Sequence, residues 1–215
     1  VIALAAAAWA GDAAFDLLQD DEGWLDLGTR RSRYGPVAVA SRDIDGLTCY
    51  RAAVDAPVGV DALAGVTRRM ARSSAWSSAD LPVSIELERD GDSFVFFQVF
   101  DVPSWTFAAD RYWVLRGTVE RSNDQAVYRY QRANGAAWPE VQQALAGYPG
   151  AVEPTTNFGA WTFRPEGAAT RVEYRGCSAF GGSIPTSLQS WLGLQQLPTL
   201  VEDLVGAAQA GRFAE

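Results

Sequence analysis

The 215-residue chain sets 26 acidic residues against 18 arginines, with no lysine and no histidine, for a formal net charge of −8. That length suits one domain with a substantial core, and no Pro/Ser-rich linker divides it. The acidic balance excludes a nucleic-acid footprint, which needs concentrated basic surface, and the missing histidine excludes Ser–His and Cys–His nucleophile pairs and removes the usual zinc ligand.

Residues 1–10, VIALAAAAWA, form an apolar run ending in Ala8-Trp9-Ala10. It reads either as the remnant of a secretory leader with an A-x-A site or as an alanine-rich first helix, and it is too short to span a bilayer. An exported, periplasmic location is preferred to a cytoplasmic one. Segment 1–16 is set apart from the single domain expected over 17–210. A short amphipathic helix is expected over 12–18, followed by a turn at Gly23-Trp24. The basic runs Arg30, Arg31, Arg33 and Arg68, Arg69, Arg72 read as a solvated loop and a solvated helix face.

Strands are expected over 36–42 and 47–54 around Asp45-Gly46, a pair that tolerates positive φ. Cys49 and Cys177, the only thiols, lie on polar-patterned strand faces beside Arg51 and Arg175. A bridge is geometrically possible if their strands are neighbours; two free thiols are the preferred reading. Residues 60–70 carry helical spacing, and Trp76 anchors a serine-rich loop.

From Val83 the alternation becomes legible. Val83, Ile85 and Leu87 oppose Ser84, Glu86 and Glu88, and after Asp90-Gly91 the residues Phe94, Phe96, Gln98 and Phe100 oppose Val95, Phe97 and Val99. A strand apolar on both faces is covered on both sides, or borders a core on one and a ligand space on the other. Hairpins follow over 112–121 and 126–132 around Asn123-Asp124, and over 158–164 and 170–177 across Glu166-Gly167, with a short helix over 138–146 between them. The total is eight strands. Residues 181–209 open on a Gly181-Gly182 hinge, with Ser183 or Thr186 as a cap beside Pro185. An apolar stripe then runs through Leu188, Trp191, Leu192, Leu200, Val201, Leu204 and Ala208. Pro198 predicts a kink or restart near Gln196.

An antiparallel meander wrapped on one long helix is a helix-grip α+β architecture. Four pieces resemble the START domain, the steroidogenic-acute-regulatory-related lipid-transfer fold, in its bacterial members: Gly23-Trp24, CYR at Cys49 to Arg51, DRYWVLR at Asp110 to Arg116, and GGSIPTSL followed by LPTLVEDL. The Asp110-Arg111 order and Ser183 depart from the family pattern.

The resemblance implies a curved sheet enclosing an apolar tunnel under the C-terminal helix, and non-enzymatic binding and transfer of one sterol-like or other lipid. No catalytic residue, metal or cofactor is implied. The expected wall is Phe94, Phe96, Phe100, Tyr112, Val114, Tyr128, Tyr130, Trp161, Phe163, Leu188, Trp191, Leu192 and Leu200, with Gln98 and Arg116 as polar contacts. Arg116 has an alternative role as an ion-pair partner of Glu86 or Glu88. Trp105 and Phe107 lie on the expected mouth loop and offer transient membrane contact; the protein is expected to act as a monomer. The alternative is a cyclase/aromatase-like or hydrolase-like enzyme using Glu86, Glu88, Glu173, Tyr128 or an arginine. A ligand sensor fits the same sequence.

Overall fold

Left-handed residues at the chain reversals set the meander: Asp45 and Gly46 at φ 52° and 78°, Gly91 at 57°, Asn123 at 51° and Gly167 at 59°. The computed structural model describes residues 12–106, 108–179 and 186–213, apart from the side chains at 12, 105 and 186–193. Its strands are β1 (Leu25–Ser32), β2 (Gly35–Ile44), β3 (Leu47–Ala56), β4 (Val83–Asp90), β5 (Ser93–Phe100), β6 (Arg111–Ser122), β7 (Gln125–Arg132), β8 (Thr156–Glu166) and β9 (Ala169–Ala179). They form one antiparallel sheet in the order β1-β2-β3-β9-β8-β7-β6-β5-β4. Two meanders, β1 to β3 and β4 to β9, are thus sewn together along β3 and β9.

The expected α+β class holds, with nine strands among the described residues rather than eight. The additional strand, β1, carries Arg30 and Arg31, which the sequence reading assigned to a solvated loop. As an edge strand it is mostly exposed, so no alternating apolar face marks it. Its register also shifts between Asp26 and Thr29, where Gly28 adopts φ 79° and its N–H donates to Asp26 Oδ1 at 2.8 Å. Such a bulge flips the phase of the side chains that follow.

Among the described residues four helices cover the sheet: α1 (Asp12–Gln19), α2 (Val60–Thr67), α3 (Pro139–Leu145) and α4 (Thr186–Gln209). α1, α2 and α3 fall within the ranges expected from sequence to within a residue or a few, with α2 ending early and giving way to a 3-10 turn, Met70–Ala75. α4 runs through Pro198 as one helix, without the expected restart. The Gly181-Gly182 hinge, Ser183 and Pro185 lie outside the described residues, as do residues 1–10 and the question of a leader remnant.

α4 packs on α2, β1, β2 and β3. Leu197, Val201, Leu204, Val205 and Ala208 are buried in a core shared with Val37, Val54, Leu63, Phe163 and Val172. Each such fully buried side chain contributes about 1.5–3 kcal/mol. Polar contacts pin the same half of the helix. Glu202 accepts from the Arg33 backbone N–H at 2.8 Å, and Asp203 accepts from the Ser78 N–H at 2.6 Å and its hydroxyl at 2.8 Å. A cleft of about 340 Å³ lies alongside, lined by Arg33, Trp76, Glu202, Asp203 and Arg212 among others.

The convex face is where α1 docks. Leu18, Ile44, Cys49 and Cys177 form a small buried cluster, and Cys49 and Cys177 are bridged across paired positions of β3 and β9, Cα to Cα 4.3 Å. This corrects the preference for free thiols: the polar pattern around them came from Arg175 and Glu173, which α1 covers. Arg175, 4% exposed, donates to the carbonyls of Gln19 at 2.6 Å, Asp20 at 3.2 Å and Leu18 at 3.3 Å, and pairs with Asp21 and Glu173. A guanidinium there satisfies the otherwise unpaired C-terminal carbonyls of α1 and complements its dipole. Trp24 stacks beneath Arg51 and Arg175, at 5.3 and 5.8 Å. The Gly-Trp and Cys-Tyr-Arg segments therefore meet as one anchor on the convex side.

Candidate functional site

The concave face is organised in rows across the sheet. The row facing α2 and the C-terminal half of α4 runs Ala126, Phe163, Val172, Val54, Val37 and is aliphatic apart from one ring. The next runs Val119, Tyr128, Trp161, Tyr174, Ala52, Val39. The third runs Phe94, Gly117, Tyr130, Gly159, Gly176, Tyr50. Three glycines in one row remove the side chains from the middle of the sheet and let neighbouring rings lie flat on the backbone. A methyl group at Gly117 would meet Tyr128, one at Gly159 would meet the Tyr130 hydroxyl at 2.6 Å, and one at Gly176 would overlap the Tyr174 hydroxyl. Aromatic rings covering strand glycines in this way replace the packing that the glycines lack.

The rings form a continuous aromatic floor. Phe94 stacks on Tyr128 with centroids 5.9 Å apart, Tyr128 on Tyr130 at 5.9 Å, and Trp161 meets Phe163 at 6.4 Å and Tyr174 at 5.0 Å. Phe94, Phe96, Tyr128, Trp161 and Phe163 are almost fully buried, whereas Tyr50, Trp113 and Tyr174 keep accessible surface.

The phenol oxygens are the polar groups of this floor. Tyr130 and Tyr174 share a hydrogen bond of 2.8 Å, and the buried Tyr128 hydroxyl has no hydrogen-bond partner among the described residues. Burial, with the neighbouring Tyr174, raises the Tyr128 and Tyr130 phenols well above the ordinary tyrosine value. Burial raises Tyr174 too, against an opposing pull from its hydrogen bond to Tyr130. All three are therefore neutral O–H groups at neutral pH.

Of the wall expected from sequence, the structure brings Phe94, Phe96, Gln98, Phe100, Tyr128, Tyr130, Trp161, Phe163 and Leu200 to the concave side. Gln98 is engaged by the protein: its amide N–H groups donate to the Met70 carbonyl at 3.2 Å, Ser84 Oγ at 3.0 Å and Ser73 Oγ, and its oxygen accepts from Trp113 Nε1 at 2.8 Å. It ties β4, β5 and the 3-10 turn together and fixes Trp113, on which Phe100 stacks at 6.3 Å.

Tyr112, Val114 and Arg116 are a correction. They pair with Val99, Phe97 and Val95 and so belong to the convex face, where Val114 is buried with Val95, Phe97, Val99 and Val141 under α3. The run Tyr112-Trp113-Val114-Leu115 is apolar at every position, so alternation carries no phase. Nor does Glu86 serve Arg116, since it pairs with Arg89 at 2.6 Å. Leu188, Trp191 and Leu192 fall in the first half of α4, where side chains are not described. Trp105 sits in a 3-10 turn, Ser104–Thr106, and Phe107 is outside the described residues. The base of that loop is pinned: the Val102 N–H donates to Asp110 Oδ1 at 3.2 Å and the Asp101 N–H to the Asp80 carbonyl at 3.0 Å. Arg111, buried at the start of β6, donates to the Asp110 carbonyl at 3.2 Å and to that of Ala109.

Sequence reasoning missed Tyr50, Trp113, Tyr174 and the glycine row. A signal existed for Tyr174: in RVEYRGC the residues Glu173, Arg175 and Cys177 share one face, which places Val172, Tyr174 and Gly176 on the other. Among the described residues no cluster of His, Cys, Asp and Glu could hold a metal ion, and no helix is long and apolar enough to cross a membrane.

No family model matches the chain, and no curated protein does. Solved structures do. Human STARD10 superposes with a TM-score of 0.73 at 11% identity, over 90% of this chain and 76% of that one. Human StAR-related lipid transfer protein 5 gives 0.71 at 14%, over 92% and 93%. A STAR-related lipid transfer protein from Xanthomonas axonopodis gives 0.66 at 22%, over 89% and 99%. The chain therefore has the START helix-grip fold.

Proposed function

We propose that this chain is a non-enzymatic carrier that holds one hydrophobic molecule, a lipid of sterol-like or other kind, between the concave sheet face and α4 and exchanges it with membranes. The observation that carries this reading is the glycine-floored aromatic face, covered from one end by α4, in a fold whose solved examples include proteins named for lipid transfer. A site of this sort is concave and apolar with a few polar groups that fix orientation. Phe94, Phe96, Phe100, Tyr130 and Trp161 supply the floor, and Leu188, Trp191 and Leu192 the roof.

Exchange requires an opening. The half of α4 after Pro198 is the fixed half, held by its buried leucines and valines and by Glu202 and Asp203. The half next to Gly181-Gly182 is the part that swings, together with the loop bearing Trp105 and Phe107. The Cys49–Cys177 bridge supports an oxidising, extracytoplasmic location. The carboxylates that an enzyme on this fold would use favour the carrier: Glu86 is exposed and paired with Arg89, and Glu173 pairs with Arg175 on the convex side.

Native mass spectrometry of protein purified from cells, with identification of the released lipid, tests the proposal. A one-to-one lipid complex is expected. Protein that carries no lipid and binds neither a fluorescent sterol nor a fluorescent phospholipid at micromolar concentration refutes it.

A further inference from the structure

The two faces of β3 and β9 are polar in different ways. Their convex positions include Arg51, Asp55, Arg171, Glu173 and Arg175, all charged. Across β8, β9 and β3 no concave position carries a charge. Beyond the glycine row, on its side away from α2, the concave side chains nevertheless turn polar. Gly176 pairs with Tyr50 and Tyr50 with Ser41, so the third row ends in two hydroxyls. One row further out Asn157 pairs with Ser178, and Thr48 continues that row on β3, next to the paired Cys49 and Cys177. All five side chains belong to residues that keep accessible surface. This corner lies at the end of the sheet where β9 leads on to α4 and where the Trp105 loop joins β5 to β6.

Resting on the carrier reading, we infer that Ser41, Thr48, Tyr50, Asn157 and Ser178 form a head-group subsite for an uncharged lipid head with two or more hydroxyl or ester oxygens, as in an acylglycerol. Hydroxyl and amide side chains both donate and accept, which matches hydroxyls and ester carbonyls alike. Adjacent strands lie about 4.8 Å apart, so a head with several oxygens bonds to two strands at once. A lone hydroxyl reaches one.

The charges that flank the corner select against an anionic head. Arg132, at the end of β7, already donates to Glu153 at 3.0 and 2.7 Å. On the other side Asp43, paired with Thr48, accepts from the Gly46 N–H at 2.9 Å. A phosphate in the corner would therefore compete with one carboxylate for its cation and lie beside another, and its desolvation would go uncompensated. A neutral head pays no such cost. The acyl chain then runs inward across Gly159 and Gly176, where the absence of side chains leaves room above the flat Tyr130 and Tyr174 rings.

The test uses the delipidated full chain and three probes with the same acyl or alkyl chain, 1-monooleoylglycerol, oleyl alcohol and 1-oleoyl lysophosphatidate, each displacing Nile red. The wild-type protein is expected to bind monooleoylglycerol about tenfold more tightly than oleyl alcohol, the ratio that one additional well-made hydrogen bond supplies, and lysophosphatidate no more tightly than the alcohol. Asn157→Leu, Ser178→Ala and Thr48→Val are expected to bring the monooleoylglycerol ratio toward one while oleyl alcohol affinity stays within about threefold of wild type, less than one hydrogen bond. That retained affinity also reports that each variant is folded. A wild-type ratio near one, tightest binding of lysophosphatidate, or equal loss of both neutral probes in the variants overturns the assignment. Failure of every probe, Nile red included, to bind the wild type overturns the carrier reading itself.

Discussion

Replacing Tyr128 with phenylalanine should stabilise the unliganded protein, which is the opposite of what truncating a buried tyrosine normally does. The ring stays, so its stacking on Phe94 and Tyr130, both at 5.9 Å, is retained. What leaves is a hydroxyl that is fully buried and without a hydrogen-bond partner among the described residues. Stranding such a group costs about 1–3 kcal/mol, and about 1–2 kcal/mol is therefore expected back. For a chain of this size that corresponds to a rise in Tm of roughly 2–8 °C. The assay is urea unfolding and calorimetry of rigorously delipidated protein, because any ligand bound to the folded state adds its own stabilisation. A variant less stable than wild type in the absence of lipid refutes the reasoning, since it would mean that the hydroxyl is already satisfied.

Gly159→Ala should destabilise by about 1–3 kcal/mol and raise ligand off-rates, because the new methyl would meet the Arg175 carbonyl and the Tyr130 hydroxyl; Gly147→Ala, with only an ordinary 3.5 Å contact, should change urea midpoints little. The double variant Cys49→Ala/Cys177→Ala should lose about 2–4 kcal/mol, while the native protein should resist dithiothreitol until it unfolds, since both sulfurs are buried. Asp21 is held below the ordinary carboxylate range by its hydrogen bond to Arg175 and then by the charge of that guanidinium. Its contribution is complete above the unfolded-state pKa and is lost as pH falls through the lower folded value. Hydrogen exchange should therefore show α1 loosening as pH falls below the ordinary carboxylate range, and Asp21→Asn should flatten that limb of the profile.

The sheet was legible in the sequence wherever one face is wet and the other dry. β4 announces itself through Ser84, Glu86 and Glu88, and the hairpin turns through Asp45-Gly46, Asn123-Asp124 and Glu166-Gly167. Legibility fails at the two extremes of burial. β1 is so exposed that no apolar face survives, and β6 is so covered that Tyr112 to Leu115 are apolar on both faces, which put Tyr112, Val114 and Arg116 on the wrong one. The disulfide was hidden for a related reason. Arg175 and Glu173 looked like solvent-facing neighbours of Cys177, and only the docking of α1 turns that polar face into an interior. The tyrosine cluster depends on rows that cross β6, β7, β8, β9 and β3, and sequence spacing within one strand does not encode pairing between strands.

The two faces of the sheet divide the work of the fold. On the convex side, the bridge, Arg175 and Trp24 lock β3, β9 and α1 together, joining the two meanders at their seam. On the concave side bulk is lowest beside that seam, with Gly159 and Gly176 adjacent on β8 and β9. A strand pair without side chains on one face is weakly specified in register and loses packing there. Covalent and ionic restraint from behind offsets that loss without placing anything in the concave space. The disulfide and the glycine row are thus coupled features. Removing the bridge should enlarge the effect of Gly176→Ala on lipid affinity, and strictly additive effects in a double-mutant cycle would separate them.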